Sequence, residues 1–140
     1  MATATQTIRV SFLDDHALVR LGLARFVEQQ PDLVTAGSYG SSVEALTDLA
    51  TNHTDVLVLD YALAPGDLGG SELILELKKK YPVLNIIVLT ASIDTMRMSA
   101  CLEAGAAGVA HKKLPLPQLM DAIRMIHGGR RFVDPLLSQA

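Results

Sequence analysis

Short apolar runs alternate along the chain with stretches in which apolar residues recur at helical spacing. The apolar runs cover residues 8–13, 33–36, 55–59, 85–89 and 108–111. Each run has the length of a β-strand and is far shorter than the roughly 20 apolar residues that a membrane span requires. Several of the runs are continuously apolar, which is typical of strands that are buried on both faces. The pattern therefore predicts five strands of a parallel sheet.

A helix is predicted after each of these strands. The first helical stretch carries apolar residues at i, i+3, i+4, i+7 and i+8, and these are Val19, Gly22, Leu23, Phe26 and Val27. Ser41 or Ser42 is the candidate N-cap of the second helix. Similar apolar faces follow the third, fourth and fifth strands around Leu73, Cys101 and Leu119. The order predicts an α/β fold: a flavodoxin-like (βα)5 doubly wound, five-stranded parallel sheet with strand order 2-1-3-4-5.

Composition and charge narrow the classes of function. The chain has 140 residues, of which 49% are hydrophobic and 19% charged, and its formal net charge is −3. This balance allows a packed core and argues against a domain whose main role is to grip nucleic-acid phosphates. A single cysteine excludes an intrachain disulfide framework. The N-terminus lacks the basic and apolar regions of a signal peptide, so we expect a cytoplasmic protein without a membrane contact.

Polar residues follow four of the predicted strands directly. They are Asp14 with Asp15, then Asp60, Thr90 and Lys112. The carboxyl ends of parallel strands meet at one edge of the sheet, where ligands bind in doubly wound folds. Two carboxylates about 5 Å apart repel by roughly 3 kcal/mol at an effective dielectric constant near 20, so the cluster requires a cation. Oxygen ligands favour Mg²⁺.

This set of side chains is typical of phosphoryl transfer to a carboxylate. A strand-end aspartate can attack phosphorus and form an aspartyl phosphate. Lys112 and a metal ion can neutralise the phosphoryl oxygens, and the Thr90 hydroxyl can donate a hydrogen bond to one of them.

Four motifs resemble the receiver domain of two-component response regulators. In order along the chain they are Leu13-Asp14-Asp15-His16, Val56-Leu57-Val58-Leu59-Asp60, Ile87-Val88-Leu89-Thr90-Ala91 and the segment from Ala104 to Lys112. The likeness covers roughly residues 7–135. Val19-Arg20, Gly22-Leu23 and the segment from His127 to Pro135 resemble the NarL/FixJ subfamily more narrowly. Members of this subfamily usually continue into a LuxR-type helix-turn-helix domain.

The resemblance implies roles for individual residues. Asp60 is the implied phosphoacceptor, Thr90 the switch hydroxyl and Lys112 the phosphate-binding lysine. The implied Mg²⁺ ligands are Asp15, Asp60, the backbone carbonyl of Ala62 and, through water, Asp14.

The chain departs from the family pattern at three positions. Val109 stands where receivers often carry a switch tyrosine or phenylalanine, Pro65 comes one residue later after Asp60 than usual, and Lys113 replaces the proline after Lys112. Because successive strand side chains face opposite ways, only one of the two lysines can point into the site, and the spacing favours Lys112.

Several other residues are interpreted as structural or as surface features. His16 is expected to be a surface histidine, His111 a strand residue and Cys101 a core residue. Apolar residues that lie off or beside the buried stripes of the first and last helices form a candidate dimer surface. They are Leu18, Leu21, Met120 and Met125.

The resemblance predicts a signalling protein rather than an enzyme. A sensor histidine kinase or a phosphotransfer protein is the expected phosphoryl donor, phosphorylation is expected to favour a homodimer, and DNA is expected to be contacted only through an absent C-terminal domain. Residues 1–6 are predicted as a flexible N-terminus, 7–128 as the receiver domain and 129–140 as the start of a linker. Two alternatives are a stand-alone receiver that acts through protein partners and a haloacid-dehalogenase-like phosphatase. The phosphatase usually has a second aspartate two residues after the nucleophile, where this chain has Ala62.

Overall fold

Six strands form one parallel sheet in the order β2-β1-β3-β4-β5-β6. The computed structural model describes residues 7–63, 69–92 and 94–138. The strands are β1 (Ile8–Leu13), β2 (Leu33–Tyr39), β3 (Val56–Asp60), β4 (Asn85–Thr90), β5 (Gly108–His111) and β6 (Phe132–Val133). The helices are α1 (Ala17–Glu28), α2 (Ser42–Asp48), α3 (Gly70–Lys80), α4 (Thr95–Ala104), α5 (Leu116–His127) and α6 (Pro135–Ser138). The predicted α/β, flavodoxin-like architecture with a parallel sheet is confirmed.

The expected number of five strands is corrected to six. Phe132 and Val133 pair with Gly108 and Val109 at the β5 edge of the sheet. The added strand is held by two backbone hydrogen bonds, from Phe132 N to Ala107 O at 3.1 Å and from Asp134 N to Val109 O at 3.0 Å. A two-residue strand is too short to show a period in the sequence, and it lies in the segment interpreted as the start of a linker.

Apolar side chains cover the sheet on both faces. All five residues of β3 are buried, and they point alternately to opposite faces. Leu57 and Leu59 pack with side chains of α2, α3 and α4, whereas Val56 and Val58 pack with side chains of α1 and α5. The continuous apolar runs of the sequence therefore reflect burial on both faces. The described part of the chain contains no helix long and apolar enough to cross a membrane.

Side chains that accept hydrogen bonds from backbone N–H groups fix the starts of α2 and α4. Ser41 is the N-cap of α2, and its hydroxyl accepts a hydrogen bond from Glu44 N at 3.3 Å. Asp94 caps α4 by accepting a hydrogen bond from Met96 N at 2.9 Å. These contacts satisfy backbone N–H groups that a helix leaves unpaired in its first turn. The cap at Asp94 places the first turn of α4 shortly after the end of β4.

One residue of the candidate dimer surface is wrongly assigned. Met120 is 1% exposed and packs in the core beside Leu119 and Ile123, so it cannot form a surface. The buried face of α5 is wider than one apolar stripe because the helix contacts β3, β4, β5 and β6 together. On α1, Leu18 is 83% exposed and Leu21 is 51% exposed, and Met125 on α5 is half-buried. These three residues stay in the predicted surface.

Two sequence-based predictions concern residues outside the described ranges. They are the flexible N-terminus at 1–6 and the unusual loop position of Pro65.

Candidate functional site

The carboxyl ends of β1, β3, β4 and β5 lie side by side. Leu13 pairs with Leu59, Asp60 with Leu89, and Thr90 with His111. The chain leaves β1 toward β2 on one side and returns to β3 on the other, so a crevice opens between β1 and β3. The residues that follow these strands therefore share one edge of the sheet, as the sequence predicts.

Acidic groups and one imidazole cluster at this edge. Ligand atoms from Asp14, Asp15, His16 and Asp60 all lie within 4.8 Å of one another. Asp14 and Asp60 are buried, whereas Asp15 and His16 are exposed. Three carboxylates at this separation repel one another strongly, and that repulsion favours a bound cation. The sequence-predicted carboxylates are thus brought together.

The structure also brings His16 into the acidic cluster. Its Nδ1 lies 2.8 Å from Asp14 Oδ1 and 3.1 Å from Asp15 Oδ1, and its backbone N–H donates to Asp14 Oδ1 at 2.8 Å. The hydrogen bond to Asp14 and the charge of Asp15 raise the pKa of the His16 imidazole. His16 is predicted to be a surface histidine; it is exposed, and it also contacts both carboxylates. Its position directly after two aspartates is the sequence feature that indicates this contact.

The two oxygens of Asp60 have different surroundings. Oδ1 accepts hydrogen bonds from Lys112 Nζ at 2.9 Å and from Ala62 N at 3.3 Å. Oδ2 is buried and has no hydrogen-bond partner among the described residues. Burial raises the pKa of the Asp60 carboxyl, and the nearby Lys112 ammonium opposes that rise. A buried oxygen without a partner costs about 1–3 kcal/mol, so Oδ2 is suited to bind a group from outside the protein.

Thr90 and Lys112 complete the pocket around Asp60. The pocket has a volume of about 250 Å³, and its walls include Ala62 and Ser92. Thr90 Oγ1 accepts a hydrogen bond from Ser92 N at 3.1 Å, which leaves the hydroxyl hydrogen available to donate. Lys112 lines the pocket, whereas the exposed Lys113 does not. The preference for Lys112 over its neighbour agrees with this geometry.

Val109 and His111 occupy β5 beside the site. Val109 is 1% exposed and packs in the core, so an aliphatic side chain stands at the position where an aromatic switch residue is common. His111 is buried, its Nε2 lies 3.1 Å from Ala91 O, and its Nδ1 accepts a hydrogen bond from Lys113 N at 3.0 Å. The imidazole therefore joins the loop after β4 to the loop after β5.

Sequence reasoning also missed Tyr61 and Arg97. Both line the pocket around Asp60, and the guanidinium carbon of Arg97 lies 5.4 Å from the centre of the Tyr61 ring. Tyr61 directly follows β3, whereas Arg97 lies in the first turn of α4. Arg97 is distant from Asp60 in sequence, so only its contact with Tyr61 in the folded structure reveals its place.

A flavodoxin-like sheet with this set of strand-end side chains defines a class: the phosphoryl-accepting receiver domains of two-component signalling. The chain belongs to the family described as "Response regulator receiver domain", whose profile matches residues 10–124. The family predicted from the sequence motifs is confirmed, and the protein is the receiver domain of a two-component response regulator.

Individual relatives support this assignment. The chain is 32% identical over 132 residues to "Response regulator GacA" of Pseudomonas viridiflava, a match that covers 94% of this chain and 61% of the relative. The chain thus spans about three fifths of the length of the curated relatives it matches.

Solved structures resemble the fold closely. The isolated receiver domain of RcsB from Salmonella enterica serovar Typhimurium, determined with the phosphomimetic BeF3⁻, superimposes with a TM-score of 0.87 at 26% identity and covers 96% of this chain and 98% of that one. A structure of two RcsB dimers bound to two parallel DNAs has a TM-score of 0.87 at 28% identity and covers 96% of this chain and 66% of that one.

Proposed function

We propose that Asp60 accepts a phosphoryl group and that this event switches self-association or the activity of an output domain, for the control of transcription. The observation that carries the proposal is the asymmetry of the buried carboxylate. Oδ1 is held by Lys112 and Ala62 N, while Oδ2 has no partner among the described residues. One oxygen is therefore positioned and the other is able to react.

The transfer step requires no general base. Asp60 Oδ2 attacks the phosphorus of a phosphohistidine, a P–O bond forms, and the P–N bond breaks with its electron pair going to the donor imidazole. Lys112 offsets the negative charge at the carboxylate, and the Thr90 hydroxyl donates to a phosphoryl oxygen. Each of these groups lines the pocket that contains Asp60.

The acidic cluster fits Mg²⁺. Its three carboxylates lie within 4.8 Å of one another. Hard oxygen donors of this kind suit a small divalent cation that keeps several waters. Asp15, Asp60 and the backbone carbonyl of Ala62 would hold the ion directly, with Asp14 acting through water. When bound, Mg²⁺ supplies positive charge that stabilises the phosphoryl oxygens during transfer.

The phosphoryl donor is a sensor histidine kinase or a phosphotransfer protein in this proposal. A groove of about 380 Å³ between α1 and α5 opens beside Asp14 and Lys112. Its walls are mainly apolar and include Val19, Leu23 and Leu119. An apolar groove next to the phosphoacceptor supports docking of a protein donor there.

The same proposal places the output domain, whose activity phosphorylation would regulate, outside this chain. A relative of similar fold, RcsB, has been solved as dimers bound to DNA, and the curated relatives are longer than this chain. The formal net charge of −3 supports leaving DNA contact to a C-terminal helix-turn-helix domain. The linker at 129–140 and the cytoplasmic location stay predictions. A stand-alone receiver that acts through protein partners is the alternative arrangement.

Intact mass spectrometry after incubation with acetyl phosphate tests the proposal. The wild-type protein should gain one phosphoryl group in the presence of Mg²⁺ and none with a chelator, and Asp60→Asn should gain none. A stable, metal-dependent acyl phosphate on Asp60→Asn would show that the nucleophile is wrongly assigned. Continuous hydrolysis of a phosphomonoester would favour the phosphatase alternative.

A further inference from the structure

We propose that Arg97 of α4 is a second cation for the phosphoryl group on Asp60, and that it thereby acts as a positioning residue which links phosphorylation to α4. The inference rests on the proposed function of Asp60. It adds a residue from a helix to a site that is otherwise built from residues at or just after the ends of strands.

Arg97 already lies in the wall of the pocket that contains Asp60, Thr90 and Lys112. It is in the first turn of α4, which begins shortly after the end of β4 at Thr90. The pocket volume of about 250 Å³ leaves room for a phosphoryl group between these walls. The guanidinium therefore needs only a change of side-chain rotamer, and no unfolding of α4, to approach the group.

Two weak contacts hold the Arg97 side chain in the unphosphorylated protein. Its guanidinium carbon is 5.4 Å from the centre of the Tyr61 ring, and its Nε is 3.7 Å from Asp94 Oδ2. The Arg97 side chain is 57% exposed, and contacts of these kinds at exposed positions contribute little. The Arg97 side chain thus lies over the ring of Tyr61, the residue next to Asp60. Breaking its two contacts costs little free energy.

The charges of the phosphorylated site leave a place for one more cation. A phosphoryl group brings about −1.5 to −2 charges near neutral pH. Mg²⁺ and Lys112 together carry three positive charges, while Asp14 and Asp15 carry two negative ones. With the His16 imidazole counted as neutral, the sum is negative by up to about one charge, which a guanidinium cancels. Arginine also presents paired N–H donors whose geometry matches phosphate oxygens.

Movement of Arg97 would be transmitted beyond the pocket. The helix α4 contacts α3, β5 and α6. The short helix α6 is attached to β5 through Asp134, which accepts hydrogen bonds from His111 N and Leu136 N at 2.9 Å each. A contact between Arg97 and the phosphoryl group would therefore connect Asp60 to the C-terminal segment of the described chain.

Titration with beryllofluoride in excess Mg²⁺ tests the role of Arg97, because this anion stands in for a phosphoryl group on aspartate. We expect Arg97→Ala and Arg97→Gln to weaken binding about tenfold, the loss of one charge-assisted hydrogen bond. Arg97→Lys should restore part of the affinity. The control is Arg25→Ala, which removes a positive charge from the exposed end of α1 and should bind like wild type.

Nuclear magnetic resonance of the Arg97 Nε–H group gives a second readout that a merely structural role would not change. Its signal should shift and exchange more slowly with water when beryllofluoride binds. Affinity for Arg97→Ala within twofold of wild type, or equal losses for Arg97→Ala and Arg25→Ala, would overturn the proposal. If wild type neither binds beryllofluoride nor gains a phosphoryl group, the proposed function of Asp60 is wrong and the role of Arg97 fails with it. Thermal unfolding without the anion separates either result from misfolding.

Discussion

Asp60 combines burial with an oxygen that has no partner among the described residues, and both features reduce the stability of the fold. The residue is 2% exposed, and Oδ2 has no partner among the described residues. Burial raises the pKa of its carboxyl because the charged form loses hydration, while the Lys112 ammonium opposes the rise. In the proposed function this oxygen receives the incoming phosphoryl group, and the rest of the fold offsets the cost of leaving it without a partner.

The substitution Asp60→Asn should therefore stabilise the metal-free protein. We expect the free energy of unfolding at pH 7 to rise by about 1 kcal/mol, because the amide is buried without a charge and can still accept from Lys112. The folded-state pKa of Asp60 is raised, so the wild-type protein gains stability as the pH falls and this carboxyl is protonated. The difference in the free energy of unfolding between wild type and Asp60→Asn should therefore shrink as the pH falls.

Urea denaturation in a chelating buffer at several pH values measures this difference. Glu76→Gln, which removes an exposed carboxylate from α3, is the control and should change stability little. A loss of stability in Asp60→Asn at pH 7 would show that the carboxylate is well compensated in the fold.

Helix α5 is anchored at the opposite edge of the sheet by an ion pair. The Arg124 guanidinium donates to both oxygens of Asp32, from Nε at 2.7 Å and from Nη2 at 2.9 Å, and also to Gln30 Oε1 at 2.9 Å. These partners precede β2, so the contact joins elements far apart in sequence. The hydrogen bonds from Arg124 hold the pKa of Asp32 below its usual range. Bidentate geometry makes this pair stronger than an ordinary surface contact.

The substitution Asp32→Asn should lower the free energy of unfolding by about 1 kcal/mol at pH 7, since both partners are partly solvated. Because the folded-state pKa of Asp32 is lowered, its contribution is present above the ordinary aspartate pKa and is lost as the pH falls through the folded value. The matched control is Asp121→Asn. Asp121 also pairs with Arg124, at 3.0 Å, but is 73% exposed.

Chemical denaturation of both variants between pH 7 and pH 3 provides the comparison. We expect the deficit of Asp32→Asn to shrink toward the acidic end and Asp121→Asn to differ little from wild type throughout. An equal deficit at both ends of the range would contradict an ionic origin.

For the whole molecule, the arrangement of helices leaves an apolar part of α1 uncovered. Helices α1 and α5 pack on one face of the sheet, while α2, α3 and α4 pack on the other. Leu18 is 83% exposed and Leu21 is 51% exposed, and both lie on α1. Large exposed aliphatic side chains on one helix suit an interface between two copies of the chain.

The double substitution Leu18→Ser with Leu21→Ser should keep the beryllofluoride-treated protein monomeric in sedimentation, under conditions in which wild type dimerises. Because both side chains are exposed, the free energy of unfolding should change by no more than about 0.5 kcal/mol. Val83→Ser, at a residue 85% exposed at the other end of the sheet, should dimerise like wild type. Equal dimerisation of all three proteins would exclude this surface.

Most of the sheet and the core of the site can be predicted from the order of residues along the chain. Continuous apolar runs mark strands that are buried on both faces, and the residue after such a run lies at the ligand-binding edge for reasons of chain geometry alone. Asp14, Asp15, Asp60, Thr90 and Lys112 could therefore be assigned without coordinates, and they converge as predicted. Lys112 directly follows β5 and lines the pocket around Asp60, whereas Lys113 does not line it.

Features that depend on contacts between distant segments become visible in the folded structure alone. The strand β6 exists because Phe132 and Val133 find the edge of β5, and no two-residue run carries a period. Met120 is buried because α5 contacts several strands at once, whereas periodicity describes one packing face. The position of Arg97 over Tyr61 brings together residues of α4 and of the loop after β3, which are distant in sequence. Local pattern reports which face of an element is apolar, and the identity of the neighbour on that face is a property of the assembled fold.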